Sequence, residues 1–123
     1  MTTQATHIRL ELAREPQNPH GDSGTGYDLV AYLDADNRLD TQTCRTHVNE
    51  CRIRRFKDET TVATGLLRHG RGDRWELDFD IVDAEDAKGF RLGDERFVTG
   101  EYVSIIAGDG AVHPYVVARV TPI

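Results

Sequence analysis

The tail of the chain reads GEYVSIIA (100–107), GDG (108–110) and AVHPYVVARV (111–120), and this stretch decides the fold. Asp109-Gly110 is a preferred hairpin turn, because glycine accepts positive φ at little cost. On the first arm Val103, Ile105 and Ala107 share one face while Tyr102 and Ile106 share the other. The second arm agrees, with Tyr115 and Val117 opposed to Val116, Ala118 and Val120. Strands apolar on both faces need cover on both faces. The sheet must curl over on itself, or another subunit must cover it. Pro114 cannot donate to a ladder, which places it at an edge or a bulge.

Upstream, the same period of two recurs with only one apolar face. Trp75, Leu77, Phe79 and Ile81 alternate with Glu76, Asp78 and Asp80 within the strand expected over Arg74 to Val82. Ile8, Leu10 and Leu12 repeat the pattern within His7 to Ala13, and Tyr27, Leu29, Ala31 and Leu33 do so again. One wet face and one covered face mark an antiparallel sheet. Thr60 to Arg68 is strand-like and returns through the HGRGD turn at 69–73 into the Trp75 strand. Phe90 to Leu92 and Arg96 to Val98 are short extended pieces.

Three segments interrupt this rhythm. EPQNPHGDSGTG (15–26) carries two prolines and three glycines and reads as a long flexible loop. After Leu33, Asp34 to Asn37 is a turn in which Asn37 is best suited to a left-handed conformation. From Asp40 to Phe56, Cys44, Val48 and Cys51 have helical spacing, yet three threonines and the Cys51, Ile53 alternation favour a bulged strand, which is the reading adopted. The one helical turn expected is Asp83 to Lys88. The fold class is therefore all-β with little helix, a small antiparallel barrel, SH3-like or related, or a two-layer sandwich, of about seven or eight strands in one domain over 1–123.

At 123 residues with 38% hydrophobic content the chain can bury a core without disulfides or metals. No run approaches the ~18 apolar residues of a membrane span. The polar start lacks the basic and apolar segments of a secretory signal, and two cysteines are too few for a disulfide framework, so a cytoplasmic location is expected.

Net charge is -6, but nine of the fifteen cations and only five of the twenty-one acids lie between Arg38 and Arg74. Arg52, Arg54, Arg55 and Lys57 form the densest basic strip and are candidate binding residues. Such a strip can follow a phosphate backbone, although the acidic balance of the whole chain opposes nucleic acid and Phe56 is the one aromatic beside it. Cross-strand salt bridges are the plainer use of these arginines. His113 and Tyr115, near each other in the last strand, are the remaining candidates for binding.

No motif specifies catalysis. GDSG (21–24) resembles a serine-protease nucleophile segment without the distant histidine and aspartate that a triad requires. Asp34-x-Asp36-Asn37 opens like a calcium loop, but Leu39 and Arg45 stand where glycine and glutamate should. Arg71-Gly72-Asp73 spells an adhesion tripeptide and reads as a turn. Cys44, His47 and Cys51 supply three zinc-type ligands without a fourth, and a strand would point Cys44 away from the others. No metal site or cofactor is assigned.

FVTGEYVSI (97–105), Asp109-Gly110 and HPYVVARV (113–120), with RIRRF (52–56) and AYLD (31–34), resemble the signature of a small family of uncharacterised bacterial proteins. That resemblance implies no activity, ligand or catalytic residue. The hairpin rhythm is also similar to SH3-like and flavin-reductase-like barrels, without the arginine and serine or tyrosine signature of flavin binding. The expected role is a non-catalytic interaction module that self-associates or meets a protein partner through the C-terminal hairpin. Tyr102, Ile106, Tyr115 and Val117 are its candidate interface. A nucleic-acid-binding barrel and a small ligand-binding barrel or enzyme are the alternatives.

Overall fold

The computed structural model describes residues 5–69, 75–80, 87–90, 95–107 and 110–123. Eight strands follow one another: β1 Ala5–Leu12, β2 Asp22–Tyr32, β3 Arg52–Lys57, β4 Thr60–His69, β5 Trp75–Phe79, β6 Ala87–Phe90, β7 Tyr102–Ile106 and β8 Val112–Pro122. Each pairs antiparallel with its neighbours in sequence, and β8 returns to pair with β1, so the sheet closes as a barrel. One short helix, α1 Thr41–Thr46, and a 3-10 turn, Val48–Glu50, lie between β2 and β3. Among the described residues no helix is long and apolar enough to cross a membrane.

The alternation in the sequence maps onto the inside of this barrel. Ile8 and Leu10 from β1, Tyr27, Leu29 and Ala31 from β2, and Trp75, Leu77 and Phe79 from β5 are all buried in one cluster. Val103 and Ile105 of β7 join them with Tyr115 and Val117 of β8. An eight-stranded barrel has an interior about wide enough for side chains to fill. Trp75, Leu67, Phe97 and Val117, each under 2% exposed, do that filling here.

The inner face of the C-terminal hairpin is thus covered by closure of the sheet. Its other face, with Tyr102, Ile106, Val112, Pro114 and Val116, is the outside of the barrel. The pairs Tyr102–Val116 and Ile106–Val112 fix this register. A register shift opposite Arg9 and Leu10 breaks the strict alternation of β8 before Val120, which packs against the core. Pro114 sits beyond the end of the β1–β8 ladder, where its carbonyl accepts from Ala13 N at 2.9 Å.

Two segments depart from their sequence-based expectation. Asp40 to Phe56 is not one bulged strand: β3 begins only at Arg52, after α1 and the 3-10 turn. Asp40 is the N-cap, its side chain accepting from Thr43 N at 3.1 Å, and this satisfies a helix-end donor that the threonines of a strand would not. Cys44 is the buried residue of α1 and joins Leu39, Phe97, Ala31 and Leu67 in the core cluster.

The loop expected over 15–26 is shorter than its composition implies, because β2 already begins at Asp22. The Asp22 carboxylate accepts from Gly24 N at 2.9 Å and from Thr25 Oγ1 at 2.7 Å, stiffening a glycine-rich stretch into strand. Asn37 takes the left-handed conformation expected of it, with φ 63°. The helical turn expected over Asp83 to Lys88 falls partly outside the described residues. Ala87 and Lys88 lie in β6 and are extended. The turn at 69–73, apart from His69, and Gly108 and Asp109 of the final turn also lie outside the described residues.

Gly26 and Gly65 allow neighbouring backbones to approach as barrel curvature demands. A Cβ on Gly65 would overlap the Asp78 carbonyl oxygen, and one on Gly26 would overlap that of Leu10. Backbone cannot yield as a flexible side chain can. Gly65→Ala is expected to destabilise the protein by about 2–4 kcal/mol, read as a lower urea midpoint.

Candidate functional site

Strand β3 carries the basic strip, and its geometry divides the four cations. Ile53 points inward, so Arg52 and Arg54 stand on the outer face. The register shift against β4 leaves Val62 as the extra residue on that strand, so β3 keeps its alternation and Phe56 faces outward. Phe56 is fully buried, yet outside the barrel's core cluster. Its ring lies beneath two outward-facing guanidiniums, Arg9 at 4.3 Å and Arg54 at 5.3 Å. Cations over an aromatic face gain electrostatic attraction while their stems shield the ring from water.

Arg54 is also tied by charge. Its Nη1 donates to Asp28 Oδ2 and its Nε to Thr61 Oγ1 at 2.6 Å. The other Asp28 oxygen meets His7 Nε2 at 2.9 Å, and the Asp28 side chain is only 12% exposed. Arg9 donates to Glu11 and, through Nη2, to Glu59 and the Ser23 carbonyl. Cross-strand pairing therefore occupies Arg54, whereas Arg52, Arg55 and Lys57 form no ion pair among the described residues. An open groove of about 490 Å³ runs over this surface, lined by His7, Asp28, Arg52, Arg54, Thr64 and Asp80. It mixes both signs of charge instead of presenting one.

A second cluster forms at the barrel end where β2 starts and β3 finishes. Tyr27 pairs with Arg55 across the ladder. The Tyr27 and Tyr115 rings meet edge to face at 5.3 Å. Burial pushes both phenols above the ordinary 10.0, and the Arg55 charge partly offsets the rise. His113 Nδ1 meets the Glu15 carboxylate at 3.0 and 3.1 Å, and that carboxylate is 8% exposed. His113 is thus a paired histidine at the rim, and its partner comes from a loop whose composition gave no hint of it.

The candidate interface is split in two. Tyr102, 64% exposed, and the half-buried Ile106 lie on the outside. Tyr115 and Val117 do not belong to it: both point into the barrel, at 7% and 0% exposure, because the hairpin's register pairs Tyr115 with Val103. Val112, 53% exposed, and the half-buried Val116 take their places. Beside this strip lies a groove of about 240 Å³ lined by Glu11, Arg14, His20, Asp22, Tyr102 and Val116 among others.

Cys44, His47 and Cys51 do not converge on one point. His47 turns to the surface, with Nδ1 2.7 Å from Glu50 and its ring 5.3 Å from that of Tyr32, while both thiols are buried. Among the described residues no three metal-ligating side chains gather. The chain matches no protein-family model, no curated protein and no solved structure.

The raised phenols set an alkaline limit. Below pH about 10 folded and unfolded tyrosines both keep their protons; above it the unfolded phenols ionise first, so stability falls as pH rises. Urea midpoints measured from about pH 9 to about pH 11 should fall, and Tyr115→Phe should make the fall shallower by removing one of the raised phenols.

Proposed function

We propose that the protein is a non-catalytic binding module that works as a homodimer, two copies meeting through the outer face of β7 and β8. The observation that carries this reading is Tyr102, 64% exposed beside Val112 at 53%, in a strip continued by Ile106, Pro114 and Val116. Cross-strand pairing makes the strip continuous, and contiguous apolar surface of this kind marks a contact site more often than does a scattered exposed side chain.

A second copy fits the surroundings of the strip. A twofold contact sets one patch against itself. The groove beside Tyr102 holds Glu11 and Asp22 together with Arg14 and His20, so acids of one copy can face bases of the other. That local mixture offsets the repulsion expected between two chains of net charge -6.

The competing roles have less support. Phe56, the aromatic that would stack a base beside the basic strip, is buried under Arg9 and Arg54. Stacking on exposed aromatics contributes much of the affinity for single strands. Arg54 is occupied by Asp28 as well. A ligand inside the barrel would have to displace the large side chains that fill it.

Light scattering coupled to size exclusion tests the proposal directly. The expected mass is about twice 13.8 kDa, returning to 13.8 kDa in Tyr102→Asp, whose charge would be desolvated at the contact. A strictly monomeric species at millimolar concentration would overturn it. So would a Tyr102→Asp variant that remained dimeric.

A further inference from the structure

The dimer reading makes no use of the two thiols beneath α1. Cys44 lies in α1 and Cys51 immediately precedes β3. Cys44 Sγ donates to the Tyr32 carbonyl at 3.7 Å, and Cys51 Sγ donates to the carbonyl of Cys44 at 3.9 Å. Both thiols are buried, and the second contact sets the Cys51 sulfur against the backbone of Cys44. Simple hydrophobic burial would not require that contact. Zinc would need further ligands, and the histidine between the two cysteines is turned away to Glu50.

We propose that Cys44 and Cys51 are a redox pair that a hydroperoxide converts to an intramolecular disulfide, fastening α1 to the start of β3. Cys44 is the attacking sulfur, because the Cys51 S–H stabilises its thiolate and holds its pKa below the ordinary 9.0. The neighbouring Cys44 and burial push Cys51 the other way. Cys44 attacks one peroxide oxygen: a sulfur–oxygen bond forms, the oxygen–oxygen bond breaks, and the leaving oxygen departs as water or alcohol after taking a proton. Cys51 then attacks the Cys44 sulfenic acid. The sulfur–sulfur bond forms, the sulfur–oxygen bond breaks, and a water leaves. The two thiols lose two electrons, which reduce the peroxide.

The fold provides access as well as proximity. A six-residue helix with one buried side chain is marginal by itself, so α1 is a segment expected to open before the barrel does. Hydrogen peroxide is small enough to enter on such an opening. The cross-link would join a segment of low local stability to a strand paired on both sides.

Intact mass spectrometry of the folded full chain after hydrogen peroxide treatment tests this directly. Expected is a loss of about 2 Da, the two hydrogens given up in a disulfide, with no thiol left to alkylate after unfolding and reversal by dithiothreitol. A peptide linking Cys44 to Cys51 should be recovered, and amide exchange in α1 should slow in the oxidised form. In Cys51→Ser, Cys44 should stop at the sulfenic acid, about 16 Da heavier. Two thiols still open to alkylation after peroxide, an intermolecular cross-link, or direct passage to sulfinic acid would each overturn the proposal. The mass and alkylation readouts on the unmodified protein hold even if the serine variant fails to fold.

Discussion

Pairing of β1 with both β2 and β8 is the constraint on which the architecture depends. Remove the β1–β8 ladder and β8 becomes an open edge, with its backbone donors and acceptors unpaired and its inner row of Tyr115 and Val117 exposed to water. The ladder runs from Thr6 to Leu12 against Pro122 to Tyr115. It is the longest-range connection in the sheet, joining the two ends of the sequence. Closure supplies the second wall for Ile8, Leu10 and Val117 together, and the glycines at 26 and 65 permit the close backbone approach that curvature requires.

Closure covers one side of the C-terminal hairpin and leaves the other side outside. A barrel has a single interior, so a strand with two apolar faces can hide only one of them in its own chain. Elsewhere on the outside the protein handles the same problem differently. Phe56 faces outward and yet is fully buried, because Arg9 and Arg54 lie across it and are themselves held by Glu11, Glu59 and Asp28. Tyr102 has no such cover. The contrast between an outward aromatic roofed by paired arginines and one left 64% exposed makes the β7–β8 surface stand apart.

Strand alternation was legible wherever one face was polar. Glu76 and Asp78 left no doubt which way Trp75 and Leu77 pointed, and the structure agrees. On the last hairpin both faces are apolar, so the pattern could reveal that each needed cover without telling which lay inside. Tyr115 and Val117, expected at the interface, lie on the inner face instead. The helix at 41–46 was obscured by three threonines of high β preference, while the feature that decided the outcome was one side-chain bond from Asp40 to Thr43 N. Glycine in 21–26 suggested a loop because composition does not distinguish freedom of backbone from closeness of backbone. Gly26 serves the second purpose.

The candidate sites were legible in composition but not in grouping. Arg52, Arg54, Arg55 and Lys57 look like one strip in the sequence, yet the β2–β3 ladder sets Arg54 opposite Asp28 and Arg55 opposite Tyr27 at the barrel end. Asp28 and Glu15, the carboxylates that pair with His7, Arg54 and His113, lie 21 or more residues from those partners in sequence. No local spacing rule reaches that far. A strand's period of two says which side a residue faces, whereas the identity of its neighbours depends on register with the next strand. Register is set by bulges and turns distributed over the whole barrel. Basic character concentrated in one segment is therefore weak ground for predicting an anion-binding surface in such a fold, since the neighbouring strands decide how much of that charge remains unpaired.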